Sequence, residues 1–264
     1  MCRMDSGTYT TCTSPFTSSA LSDGSHTFDV YAIDIVGNAD VSPASHTWTL
    51  DTTAPDTTII TKPANLDNDS TPTFTFSGND GAGSGIASFM CRMDSGTYAP
   101  CSSPFTSPAL TDGSHTFDVY AIDMLGNADA SPASYTWILE TNAPIVTSIA
   151  RVNPSPTNLA SVTFTVTFSE SVTGVDMVGP LFDDFALTIT GVTGTSITNA
   201  SGSGSAYAIT VNTGSGNGTI RLDIPVSATI TDLAGNPLAS LPYITGDEYI
   251  VTKVFNLFLP LILR

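Results

Sequence analysis

The stretch HTFDVYAIDMLGNAD, residues 115–129, decides the fold. Phe117, Val119 and Ala121 alternate with Thr116, Asp118 and Tyr120. A period of two puts one set on a buried face and the other on the opposite face, which describes a strand covered on one side. Gly126 and Asn127 follow, and both tolerate the positive φ of a tight turn. Next comes ASYTWIL, residues 133–139, where Tyr135, Trp137 and Leu139 alternate inward. Two strands and a turn make a hairpin with Phe117 and Trp137 in the core.

Upstream lie TPTFTFSG (71–78), GIASFMCRM (85–93) and a strand around Cys101. That makes about seven short strands with turn signals every 8–12 residues, the pattern of an immunoglobulin-like β-sandwich. No helical period of useful length appears.

The pattern occurs more than once. Residues 1–50 match residues 90–139 at an offset of 89, with 40 of 50 positions identical. The offset carries Cys2 to Cys91, Cys12 to Cys101, His26 to His115, Phe28 to Phe117 and Trp48 to Trp137. A period near 90 is a whole sandwich of about 100 residues, too long for a solenoid unit. The expected organisation is all-β, with tandem immunoglobulin-like sandwiches as beads on a string. Residues 1–50 are the C-terminal part of one repeat, and 51–55 (DTTAP) are a proline-bearing linker. Residues 56–142 are a complete repeat. Residues 143–252 are a second kind of sandwich, and 253–264 are a hydrophobic tail. Phe28 and Trp48 are predicted core residues by their correspondence to Phe117 and Trp137. The first copy has no counterpart of residues 56–89, so Met1 falls inside a strand. The expectation is a C-terminal piece of a longer protein. The alternative is a short protein whose first domain borrows strands from elsewhere.

The second sandwich opens with SVTFTVTFSESV (161–172), which alternates strongly. FALTITGV, AYAITVNT and TIRLDIPVSATI follow, then TDLAGNP, a turn that echoes DMLGN and DIVGN. GTSITNASGSGSA (194–206) and NTGSGNGT (212–219) read as flexible hairpin loops.

Composition narrows the function classes. The chain has 24 acidic and 7 basic residues, a net charge of −17, and only 12% charged residues. Such a surface repels phosphate backbones and excludes a nucleic-acid partner. It could attract cations, and a soluble, self-repelling surface is the favoured reading. No stretch reaches the 18 or so apolar residues that span a bilayer. The ending, VFNLFLPLILR, is shorter and is broken by Pro260.

Cys2/Cys12 and Cys91/Cys101 share one spacing, and each pair brackets Asp-Ser-Gly. A hairpin turning there brings the members of each pair opposite one another, within disulfide reach. Zinc is the weaker reading, because two cysteines supply half a site and no histidine stands at ligand spacing. Disulfides imply an oxidising compartment.

Catalytic arrangements are absent from the pattern. His26 and His115 adjoin Ser25 and Ser114 on a strand, where neighbours point to opposite faces. His46 is Tyr135 in the next copy, which suits packing. Asp23/Asp112 and Asp34/Asp123 stand in turns, where aspartate caps backbone N–H groups. GAGSGI (81–86) lacks the spacing and lysine of a phosphate loop. The expectation is a protein that is not an enzyme and has no organic cofactor. Calcium is the one cofactor considered. Acidic turns beside linkers supply oxygen ligands, with Asp34, Asp51, Asp56 and Asp123 as candidates and NLDNDS (65–70) as a further cluster.

The ordered string CRMDSGTYAPC, DGSHTFDVYAIDMLGN, TWILETNAP resembles the repeat of bacterial Ig-like domains in large secreted and cell-surface proteins. TFTVTFSESVTGV and TDLAGNP resemble a related bacterial Ig-like module, and FLPLILR resembles hydrophobic tails of secreted repeat proteins. The resemblance covers residues 1–252 and carries over no catalytic residue. It implies an extracellular or cell-surface location and a structural or adhesive stalk. The partners it implies are neighbouring Ig-like domains of the same chain and a surface glycan or protein. The alternative is accessory modules of a large extracellular hydrolase, binding carbohydrate or calcium. For carbohydrate, Tyr207, Tyr243 and Tyr249 are the candidate stacking faces.

Overall fold

The computed structural model describes residues 1–179 and 182–253. The tail at 254–264 lies outside the described residues. Every regular element among them is a β-strand. The chain divides into two compact units, residues 1–65 with 69–138, and 66–68 with 139 onward.

In the first unit the Gly113–Asp123 strand is flanked by Ile86–Met93 and Ala133–Leu139, with Ala99–Cys101 beyond Ile86–Met93. Asp56–Thr61, Thr73–Asn79 and Phe105–Thr106 form the facing sheet. Phe117, Val119 and Ala121 are fully buried, so the inward set is the one the alternation predicts. Phe117 stacks on Phe74 at 4.2 Å and on Phe105 at 5.2 Å between ring centroids. Trp137 packs on Phe74 and is 1% exposed. This aromatic cluster joins the two sheets of an immunoglobulin-like sandwich.

Residues 1–50 repeat one sheet of that sandwich. Cys2–Met4, Gly24–Val30 and Ala44–Leu50 form three strands, and Cys2 pairs Val30 as Cys91 pairs Val119. Among the described residues, no strands equivalent to Asp56–Thr61 and Thr73–Asn79 face this sheet. Phe28 and Trp48 are therefore only half-buried, which corrects their assignment to a closed core. They line an open groove of about 830 Å³ with Met1, Met4 and Phe16.

The second unit is a separate sandwich. One sheet runs Val146–Arg151, Ser161–Phe168, Ala206–Asn212, Ser196–Ser203. The other runs Ala186–Thr190, Gly218–Asp223, Glu248–Val251. Val162, Phe164, Val166 and Phe168 face a core with Ile209, Val211, Ile220, Leu222 and Tyr249. A short pair, Val172–Thr173 with Thr231–Asp232, sits beside them. The stretch expected to be a flexible loop at 194–206 is instead an edge strand, Ser196–Ser203, paired with Ala206–Asn212. Small polar residues hid it because an edge strand needs few apolar contacts. Gly202 and Gly204 carry the positive φ at its turn.

Trp137→Ala removes the largest side chain of the closed core and is expected to cost about 3–5 kcal/mol. Trp48→Ala, on the uncovered sheet, is expected to cost under about 2 kcal/mol. Urea unfolding followed by circular dichroism measures both, and equal losses would contradict this account of the core.

Candidate functional site

The polar side chains of the repeat are fixed from the hairpin outward. Cys91 bridges Cys101 and Cys2 bridges Cys12, each with Cα atoms 5.8 Å apart. Between them Asp94 and Ser95 take φ of 50° and 61°, and Gly96 N–H donates to the Met93 carbonyl at 2.9 Å. The left-handed positions of the Asp-Ser-Gly turn are thus the aspartate and the serine. Aspartate is among the residues that tolerate this region, since its side chain bonds locally. Asp94 Oδ1 accepts Thr116 N–H at 2.8 Å, and Asp94 Oδ2 meets His115 Nδ1 at 2.7 Å. His115 Nε2 lies 2.6 Å from the Thr111 carbonyl. His26 repeats this with Asp5 and Ser22. Arg92 pairs with Asp118 at 2.7 Å and covers the Tyr98 ring, as Arg3 does with Asp29 and Tyr9.

Three D-x-x-G-N turns share one geometry. Oδ1 of Asp34, Asp123 and Asp232 accepts the N–H of the residue two on and of the asparagine four on, all within 2.9 Å. The other carboxylate oxygen accepts that asparagine's Nδ2. In two of the turns the asparagine reaches further. Asn127 Nδ2 donates to the Asp51 carbonyl at 3.0 Å, and Asn236 Nδ2 donates to the Glu140 carbonyl at 2.9 Å. Asp51 directly follows the Ala44–Leu50 strand, and Glu140 occupies the same place after Ala133–Leu139.

These contacts gather carboxylates. Asp51 and Asp123 are buried and Asp80 is half-buried, with carboxylate oxygens within 4.8 Å of one another. Asp51 Oδ2 accepts Ser84 N–H at 2.7 Å, and Asp80 Oδ2 accepts Gly85 N–H at 2.6 Å. Asp80 Oδ1 and Ser84 Oγ are buried with no hydrogen-bond partner. A Cβ on Gly83 would lie 2.8 Å from Asp51 Oδ2, so the loop at 81–85 passes close over the carboxylates. Glu140, Glu170 and Asp232 form a second triplet with the same 4.8 Å limit. Burial works to raise the Asp123 and Asp232 carboxyls, but the bonds from Asn127 and Asn236 hold both below the usual range. Glu170 is pushed up, by burial and then by Glu140 and Asp232.

Of the four candidate calcium ligands, the structure brings together Asp51 and Asp123. Asp56 lies in the Asp56–Thr61 strand opposite Asn79 and joins neither triplet among the described residues. Asp34 caps its turn and belongs to no triplet among the described residues. In the NLDNDS stretch, Asp69 caps Thr71 at 2.8 Å. Asp80, Glu140, Glu170 and Asp232 were not singled out. The signal for two of them was present, since Glu140 is Asp51 shifted by 89 and Asp232 heads the third D-x-x-G-N turn. Tyr207 and Tyr249 are 5% and 0% exposed, with hydroxyls donating to the Val172 and Thr163 carbonyls, so they offer no stacking face. Tyr243 packs partly buried against the same core.

No protein-family model matches the chain, and no curated protein is similar enough to be paired with it. Among solved structures it is similar to the Escherichia coli adhesin FdeC at 16% identity, over 86% of this chain and 74% of that one, with a TM-score of 0.37. It is similar to the human desmocollin-1 ectodomain at 12% identity, over 88% and 48%, with a TM-score of 0.35. It is similar to a Bacillus thuringiensis chitinase at 16% identity, over 64% and 29%, with a TM-score of 0.27.

The histidines give a pH prediction. Burial works to lower the His115 pKa, and bonds to the Thr111 carbonyl and the Asp94 carboxylate raise it above the ordinary value. His26 is raised by Asp5 and then by the Ser22 carbonyl, against burial. Both ring nitrogens face acceptors, which favours the imidazolium. A raised folded value adds stability that is full below about pH 6.5, the unfolded value, and is lost as pH rises through the folded value. Urea midpoints are therefore expected to fall from pH 6.0 to 8.5. His26→Gln/His115→Gln is expected to flatten that fall, and an unchanged slope in the double variant would contradict it.

Proposed function

We propose that this chain is a tandem set of non-enzymatic, extracellular immunoglobulin-like modules, the stalk or adhesive part of a secreted or surface-attached protein. Its partners on this reading are neighbouring modules of the same chain and a glycan or protein of the surface it meets. The observation that carries the reading is the reuse, 89 residues apart, of one complete set of scaffold bonds. The set includes the bridged hairpin, the Arg–Asp pair under a tyrosine and the histidine clamped between carboxylate and carbonyl. Histidine and aspartate, the side chains best suited to acid–base work, are engaged in these bonds and in turn caps. Disulfides belong with an oxidising compartment, which supports an extracellular location.

A load-carrying module is tested by pulling on it. The Cys91–Cys101 bridge shields a separation of 10 residues, so reduction is expected to add about 35 Å of contour length to the unfolding of that repeat at roughly 3.5 Å per residue. Reduction is also expected to lower stability by about 2–3 kcal/mol. Single-molecule force spectroscopy with and without dithiothreitol reads the first effect, and urea unfolding reads the second. The same protein, assayed against peptide, ester, phosphoester and glycoside substrates, is expected to show no turnover. Hydrolysis that one aspartate substitution abolishes would overturn the reading.

A further inference from the structure

We propose that Asp51, Asp80 and Asp123 bind a calcium ion that fastens the 51–55 linker to the second repeat. The inference goes beyond the modular reading and does not rest on it. The three carboxylates come from three separate segments: the residue after the Ala44–Leu50 strand, the residue before the 81–85 loop, and the head of a D-x-x-G-N turn. Fixed backbone contacts hold each of them, Thr53 and Ser84 N–H on Asp51, Gly85 N–H on Asp80, and Leu125 and Asn127 N–H on Asp123. Asp51 and Asp123 are buried, and Asp80 is half-buried.

Turn capping does not account for the triplet. Asp34 is the internal control, since it makes the same bonds to Val36, Asn38 and the Asn38 amide while exposed and outside any acidic triplet among the described residues. One carboxylate is enough for the turn. Asp80 supplies the independent observation, because its Oδ1 is buried with no N–H or O–H to receive. Ser84 Oγ, on the loop that touches Asp51, is buried and unpartnered as well. A buried carboxylate oxygen without a hydrogen-bond donor is costly unless it takes up a proton or meets a cation. The described residues put no lysine, arginine or histidine in this triplet, so a cation from solution is the partner that fits.

Ligand chemistry selects the ion. Every available donor is an oxygen, which suits a hard cation and disfavours zinc or copper. The three carboxylates and the Ser84 hydroxyl supply part of the six to eight oxygens that calcium takes, with water to complete the set, and the flexible geometry of calcium suits them better than the strict octahedron of magnesium.

The test isolates this site from the Glu140 triplet by working in a Glu170→Gln background. After dialysis against EDTA, calcium chloride is titrated into Glu170→Gln and into Asp80→Asn/Glu170→Gln, with calorimetry and thermal melts as readouts. Calcium at about a hundredfold excess over its Kd is expected to raise the melting temperature of Glu170→Gln by roughly 5 °C or more. Asp80→Asn is expected to weaken binding at least tenfold. In EDTA the same substitution is expected to leave the melting temperature unchanged or raise it, because it removes one of three crowded charges, and this also shows that the variant folds. Three results would overturn the proposal. They are no calcium heat in Glu170→Gln, equal stabilisation by potassium chloride at matched ionic strength, and calcium binding that Asp80→Asn leaves intact.

Discussion

A sandwich sheet has one apolar face, and that face must be covered. In the second repeat, Phe74 and Phe105 of one sheet stack on Phe117 of the other, and Trp137 fills the space beside them. The strands before and after Phe117 take their register from that contact, because a one-residue slip would turn Phe117, Val119 and Ala121 outward. The first repeat shows what depends on the contact. Its sheet keeps the same pairing and the same side-chain bonds. Phe28 and Trp48 nonetheless lie open in a groove, since nothing among the described residues answers to Phe74 there. Hydrogen bonding draws the sheet, and the facing aromatics close the core.

The polar residues follow a second rule. A chain with so few basic residues has to satisfy its buried carboxylates mainly with backbone N–H groups and amides. The D-x-x-G-N turn is the unit that does this, with three N–H donors of one loop converging on one aspartate carboxylate. Asn127 and Asn236 then use their remaining N–H on the residue after the preceding strand. A turn that stabilises itself therefore also fixes where a linker begins.

The strands with clean alternation were legible in the sequence, above all Ser161–Phe168 and Gly113–Asp123, because burial on one face writes a period of two. The bridged cysteines were legible from a shared spacing around a turn. The Ser196–Ser203 strand was not, since serine, asparagine and glycine on an edge carry no apolar signature. Phe28 and Trp48 misled for a different reason. Identity to a buried residue predicts burial only when the covering sheet is also present. Of the acidic triplets, Asp51 and Asp123 could be suspected from their place beside a linker and in a turn. Asp80 could not, because its partners lie 29 and 43 positions away in the chain and only the folded loop brings them near.

The two triplets are built on different sandwiches, and this bears on what they are for. The second unit shares neither the cysteines nor the aromatic cluster of the repeat, and its core is made of different residues. It still places an acid after the preceding strand, an acid beside the strand it covers, and the aspartate of a D-x-x-G-N turn within the same 4.8 Å. Glutamate replaces aspartate at two of the three positions, so the match lies in the arrangement of carboxylates and not in residue-by-residue identity. Packing cannot explain it, because the cores differ. Turn capping cannot explain it, because Asp34 caps alone. What the two places share is a linker residue held by an asparagine and surrounded by acids. The repulsion among those acids works against that attachment, and the Glu170 carboxyl is pushed up first by burial and then by Glu140 and Asp232. At the Asp51 triplet the proposed calcium would supply the positive charge that offsets such repulsion.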